Sequence, residues 1–313
     1  MNETPDNPPC NKLGPGIDEP TLIRAIERSG YPLQGVIADI LKASFSVTEE
    51  WGYIDRDTKE HRSLDIFAFK KLSDDNSVQP NVALLVECKR SIHPYVCFRS
   101  VIDREIPDFP KFVGLSHHAR YLRSSTRNVV RDTPIQSVLG LSEFAFVRPG
   151  PVHCPSFAIA HANGKNIALS GGDCFNSLIL PLVKAIDQAT TLYGDAPPEN
   201  ASCIYPTLIL AIGVIDAPML VVNSPREASA PVLTPWVRVP RHERNLVRNE
   251  NISRYYGIDL VHVDFFETFL SRHLMLFINE LCSRARKQSA VLRNGGSVKD
   301  LDNWQWHEIT SLG

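Results

Sequence analysis

Apolar residues in the first third of the chain recur at two different spacings. Glu19 to Ser29 carries Leu22, Ile23 and Ile26 in a helical pattern and stops at Gly30. Pro32 opens a second helical run, in which Leu33, Val36, Ile37, Ile40 and Leu41 fall along one buried face. Phe45 to Ile54, Ser63 to Leu72 and Val82 to Arg90 then predict three strands. The polar run DRDTKEH joins the first two, and a loop of Ser, Asp, Asn, Gln and Pro joins the second two. Residues 92–172 hold short apolar segments among many Pro, Gly and His, which predicts an inserted lobe, because structureless loops of that length are uncommon. Ser177 to Tyr193 predicts a helix capped by Asp173 or Asn176, with Leu178, Leu182, Val183, Ile186 and Ala189 inward. Ile204 to Ile215 reads as a fully buried strand and Met219 to Asn223 as another. Trp236 to Pro240 reads as an edge strand bounded by prolines, followed by a polar turn and a last strand from Ile258 to Val263. Phe265 to Lys287 predicts a long helix.

The central hairpin carries charge where a buried strand should not. Asp65 sits between Leu64 and Ile66, and Glu87 and Lys89 flank Cys88 at the end of the run Val82 to Val86. Strand side chains alternate faces, so Glu87 and Lys89 project together. A hairpin centred on Asn76 sets Asp65 opposite Glu87, with Cβ atoms roughly 5 Å apart. Two ionised carboxylates so close repel unless a cation lies between them, and Mg²⁺ suits such a half-built oxygen cage. Without the neighbouring Asp, Glu-x-Lys would describe only the polar face of a solvated sheet.

Asp65 followed by Glu87-Cys88-Lys89, after a helical region and an earlier strand, resembles the PD-(D/E)xK nuclease superfamily over roughly residues 20–91. The resemblance implies an α/β fold with a mixed sheet: a restriction-endonuclease-like core of one helix, three antiparallel strands, a second helix and a further strand (αβββαβ). It implies that Asp65, Glu87 and the Cys88 carbonyl oxygen hold Mg²⁺, with Mn²⁺ as a substitute. Lys89 would orient or help deprotonate the attacking water. Members often offer a Glu from the early helix, where this chain has Gln34; Glu27 or Glu49 is an alternative for that role. The expected activity is hydrolysis of phosphodiester bonds in nucleic acid, DNA ahead of RNA, in restriction, anti-phage defence or repair. The alternative is a member of the same fold that binds nucleic acid or a partner without cutting.

The 313 residues suffice for one large domain or a core with an elaboration, and 43% apolar with 22% charged residues is ordinary for a globular protein. The organisation expected is a flexible segment 1–17, core residues 18–91, the lobe 92–172, core residues 173–288 with extra strands and a C-terminal helix, and a tail 289–313. A net charge of −2 leaves no global field for nucleic acid, so any polyanion site must be local. Arg120, Arg123, Arg127 and Arg131 step by three, four and four along His117 to Val130, which on a helix would make one basic face. A second basic stretch, RHERNLVRNENISR with the preceding Arg238, contributes Arg241, Arg244, Arg248 and Arg254. Each has a plain alternative as a solvated or salt-bridged surface. Seven cysteines without a Cys-x-x-Cys pair argue for a reducing compartment. No signal peptide and no apolar run of membrane length is evident, so a cytoplasmic protein without a membrane partner is expected. A homo-oligomer or partner protein stays open. His153, Cys154 and His161 lack the paired spacing of a structural zinc site. Cys97 with His93 offers a thiol hydrolase as a competing chemistry.

Overall fold

The computed structural model describes residues 6–100, 106–107, 109–115, 119–123, 130–198, 201–223, 230–247, 250–294, 297–300 and 306–308. Helices α1 (Glu19–Arg28) and α2 (Tyr31–Lys42) precede strands β1 (Ser46–Ile54), β2 (His61–Lys71) and β3 (Asn81–Arg90). The three strands form an antiparallel meander whose second hairpin runs from Ile66 opposite Val86 to Lys71 opposite Asn81. After β4 (Tyr95–Phe98) and β5 (Ser156–Asn163) come α3 (Leu180–Tyr193), β6 (Thr207–Asp216) and β7 (Met219–Val222). The long strands β8 (Trp236–Val247) and β9 (Glu250–His262) lead into helix α4 (Met275–Lys287).

The main sheet has the order β1-β2-β3-β6-β9-β8. Val152–His153 lies beyond β8, and Lys111–Val113 pairs with β6. β6 runs parallel to both β3 and β9, while β8 is antiparallel to β9. Parallel strands at a sheet centre are covered on both faces, which is why β3 and β6 read as continuous apolar runs. Leu33, Ile37 and Leu41 of α2, with Phe277, Ile278 and Leu281 of α4, cover one face. Leu182, Val183, Ile186 and Ala189 of α3 cover the other. The result is a mixed α/β fold with helices on both sides of a mixed sheet.

Beyond Pro94 and Pro218 the chain bends from β3 into β4 and from β6 into β7. These two strands pair in parallel at the centre of a second sheet, which β5, Asn166–Ser170 and Val232–Leu233 complete. The segment 92–172 therefore supplies three of that sheet's strands as well as Lys111–Val113 of the first. Among the described residues no helix is long and apolar enough to cross a membrane.

Several expectations need correction. The helix expected from His117 to Val130 is not formed: Ala119–Arg123 and Val130–Pro134 are antiparallel strands, with Arg120 opposite Thr133 and Arg131 opposite Leu122. A three-four-four spacing makes a single face only on a helix, so that argument for a basic stripe fails. Arg127 lies outside the described residues. The polar stretch after Pro240 is not a turn but the continuation of β8, paired residue for residue with β9 out to Val247 opposite Glu250. Pro240 is tolerated because Val152–His153 covers only Val237 and Arg238, leaving the outer side of the strand unpaired at the proline. The helix expected from Phe265 to Lys287 is interrupted by a wider, π-type turn at Leu270–Leu274.

The buried face of α2 is also rotated from expectation. Val36 is 54% exposed, whereas Gln34 is 6% exposed and lies in the stripe with Ile37, Ala38 and Leu41. A buried amide costs free energy unless it is hydrogen-bonded, so this stripe requires a polar partner on the sheet.

Arg238, which the sequence placed in a basic patch, is fully buried. Its Nε and Nη2 donate to the two carboxylate oxygens of Asp259 at 2.8 and 3.1 Å, and Nη1 donates to the Phe146 carbonyl at 3.0 Å. The guanidinium lies 4.1 Å from the Phe109 ring centroid and 4.9 Å from that of Phe146. Arg254 is likewise engaged, donating to Asp187 on α3 at 2.9 Å.

Candidate functional site

The hairpin β2–β3 brings Asp65, Glu87 and Lys89 together at the end of a strand that is buried from Asn81 to Cys88. Asp65 lies one residue beyond the last paired position, Ile66 opposite Val86, in the register that sets it against Glu87. Freed from the ladder, its carboxylate stands in for a backbone acceptor, and the Cys88 N–H donates to Oδ2 at 2.7 Å. Its own carbonyl oxygen accepts from Gln34 Nε2 at 3.0 Å. The buried amide of α2 is thereby satisfied, and the backbone of Asp65 is fixed from the helix side. Gln34 thus positions Asp65 through its backbone.

Glu87 is 6% exposed and projects toward the α3 face, where Tyr53 donates to the Pro181 carbonyl at 3.2 Å and ties that helix to β1. Lys89 Nζ donates to Glu87 Oε1 at 2.7 Å. The other oxygen, Oε2, is buried and has no hydrogen-bond partner among the described residues. Burial, and secondarily the charge of Asp65, pushes the Glu87 carboxyl up to about 7, against the opposing pull of Lys89 and, more weakly, of the Asp65 backbone N–H. The Asp65 carboxyl is raised mainly by burial, with a further contribution from the Glu50 charge and opposition from the Cys88 N–H and Lys89.

The residues fit a hard divalent cation. Two converging carboxylates, one with a buried oxygen that lacks any donor, present the oxygen ligands such an ion takes and the charge that it would offset. Asp65, Glu87 and the Cys88 carbonyl oxygen are the groups that could hold it. Among the described residues no set of three or more His, Cys, Asp or Glu forms a finished cage, so the carboxylate pair is a half-site.

The raised Glu87 carboxyl contributes to the pH dependence of the metal-free protein. A carboxyl whose folded value lies above its unfolded 4.5 stabilises the fold fully below pH 4.5, and that contribution is lost as pH rises through about 7. We expect the stability of the metal-free protein to fall over that window by roughly 3 kcal/mol. Urea titrations at several pH values, with Glu87→Gln as the comparison, check this. The variant should remove most of the decline, and an equal decline in both proteins would contradict the account.

The other chemistry-bearing groups do not join this site. The Cys97 thiol is fully buried, and hydrogen bonding with Cys154, then burial, holds it well above the ordinary thiol range, the reverse of what a nucleophile needs. All seven cysteines are free. Arg241 is on β8, where its guanidinium stacks over Phe175 at 4.5 Å and pairs with Glu243. The side chains of Arg120, Arg123, Arg131 and Arg244 lie outside the described set. Glu49, one alternative for the early acid, is exposed and paired with Lys42 at 3.0 Å. The residue that spacing missed is its neighbour Glu50, whose charge acts on Asp65.

No protein-family model, no curated protein and no solved structure matches the chain.

Proposed function

We propose that this protein is a divalent-metal-dependent nuclease that hydrolyses phosphodiester bonds of nucleic acid, with DNA as the first substrate to test. The observation that carries the reading is Glu87, a buried carboxylate with one oxygen held by Lys89 and the other without a donor, converging with Asp65. The element order supports it. Helix α2, the meander β1-β2-β3, helix α3 and the parallel strand β6 follow the αβββαβ sequence of a restriction-endonuclease-like core, with three of the second sheet's strands inserted after β3 and two following β6.

A cation bound by Asp65, Glu87 and the Cys88 carbonyl would supply Lewis acidity toward a non-bridging phosphate oxygen and acidify water. The chain's own groups do the rest. Asp65 is preset by the Cys88 N–H and Gln34, so its carboxylate needs little reorganisation when substrate arrives. Lys89 is the catalytic residue that orients the attacking water and offsets the negative charge gathering on the phosphoryl oxygens. In-line attack by water forms the new P–O bond and breaks the bond to the leaving sugar oxygen; the attacking water gives its proton to solvent, and the leaving oxygen takes one up from solvent.

The test is incubation of the purified protein with supercoiled plasmid, single-stranded DNA and RNA, in Mg²⁺ or Mn²⁺ against EDTA. Cleavage of at least one substrate that depends on the added metal is expected. Binding of nucleic acid without cleavage in either metal would overturn the nuclease reading in favour of a non-catalytic binding protein of the same fold.

A further inference from the structure

Strand β1 breaks regular geometry at one residue. Glu50 has φ of 49°, in the left-handed region that residues with a Cβ rarely occupy; among the described residues only Lys59, in the turn after β1, shares that feature outside glycine. The β1–β2 ladder pairs Glu49 with Ile66 and then Trp51 with Leu64, leaving Glu50 and Asp65 facing each other unpaired. The packing faces exchange at the same point. Val47 and Ile66 pack with the α2 core, whereas Trp51 and Leu64 pack with the α3 core. The chain therefore places its strained residue opposite the carboxylate that the site depends on.

Glu50 is exposed, and among the described residues its carboxylate has no hydrogen-bond or ion-pair partner. It lies close enough to Asp65 for the two charges to interact. Glu50, Asp65 and Glu87 thus come from three consecutive strands in one row, with Lys89 as the cation paired among them. Three carboxylates against one ammonium leave negative charge uncompensated. Within that row the buried Glu87 Oε2 has no hydrogen-bond partner among the described residues, which marks the place where a cation is called for.

We propose that Glu50 is a third oxygen ligand of the divalent cation bound by Asp65 and Glu87, and that the left-handed turn in β1 serves to bring it there. This deepens the reading of the site as a cation centre and rests on it. As they stand the three carboxylates form no finished cage, so the exposed Glu50 side chain turns toward Asp65 when the cation binds.

The experiment is a titration of Mn²⁺ into the full chain, reading free Mn²⁺ by its electron paramagnetic resonance signal, alongside a urea unfolding curve for each protein. Glu50→Gln should weaken Mn²⁺ binding about tenfold or more, while Glu49→Gln stays within about twofold of the parent. Glu50→Gly should bind as weakly as Glu50→Gln yet unfold at higher urea, because glycine relieves the backbone. Parent-like binding by Glu50→Gln, with only the urea midpoint of Glu50→Gly moved, would overturn the ligand role and leave the Asp65–Glu87 centre standing. Absence of Mn²⁺ binding by the parent protein would overturn both.

Discussion

Replacing Lys89 with Ala should lower the cleavage rate by a factor of ~10²–10⁴ while leaving affinity for duplex DNA nearly unchanged. The ammonium sits 2.7 Å from Glu87 Oε1, where it can act on charge developing at a phosphate drawn in by a cation on the carboxylate pair. It supplies one positive charge among many contacts a duplex would make, so binding alone should register its loss weakly. The substitution has a second effect that the measurement must separate. Without Lys89 the buried Glu87 carboxylate loses the group that opposes its protonation, and its affinity for a proton rises further. Metal binding near neutrality would then weaken for a reason unrelated to the chemical step. The comparison therefore belongs at saturating Mg²⁺ and at a pH well above 7, with single-turnover rates as the readout. A variant that cuts at the parental rate under those conditions would remove Lys89 from the mechanism.

The second large effect concerns stability. Asp259→Ala should cost about 3–5 kcal/mol in urea unfolding, because it strands a fully buried guanidinium between Phe109 and Phe146 with no counter-charge. Trp236 Nε1 loses its acceptor as well, since it donates to Asp259 Oδ1 at 2.9 Å. Removing both charges together, as Arg238→Met with Asp259→Leu, should be much milder than the single change, because neither charge is then left desolvated and unpaired. A loss below about 1 kcal/mol for Asp259→Ala would mean that water reaches Arg238 after all.

The hairpin and its register were legible because two apolar runs flank a short polar loop whose centre at Asn76 fixes the pairing. Ile66 opposite Val86 is the pairing a turn centred on Asn76 requires. The buried strand β6 was legible from its unbroken apolar run. Gln34 was legible only as an oddity on α2, since its partner is a carbonyl oxygen that leaves no trace in composition. Glu50 left no signal at all, because glutamate is not a residue that advertises a left-handed backbone. Arg238 was misread for a different reason. Counting arginines ignores which face each one occupies, yet Arg238 alternates with Val237 and Val239 on a strand whose partner carries Asp259 between Ile258 and Leu260. Opposite charges in register within two apolar strands are the mark of a buried pair, and that pattern was there to be read. The arginine spacing from Arg120 to Arg131 failed because it presumed a helix; strand pairing with a distant part of the chain, Ser297–Asp300, decides the local structure instead.

The central claim is that the Asp65 and Glu87 carboxylates share a divalent cation, and crystals grown with Mn²⁺ test it most directly through anomalous scattering. The account expects a peak bridging the two carboxylates, with metal–oxygen distances of about 2.1–2.2 Å. Mn²⁺ bound elsewhere on the protein with none between Asp65 and Glu87, and with Glu87 Oε2 paired to a protein donor, would contradict it.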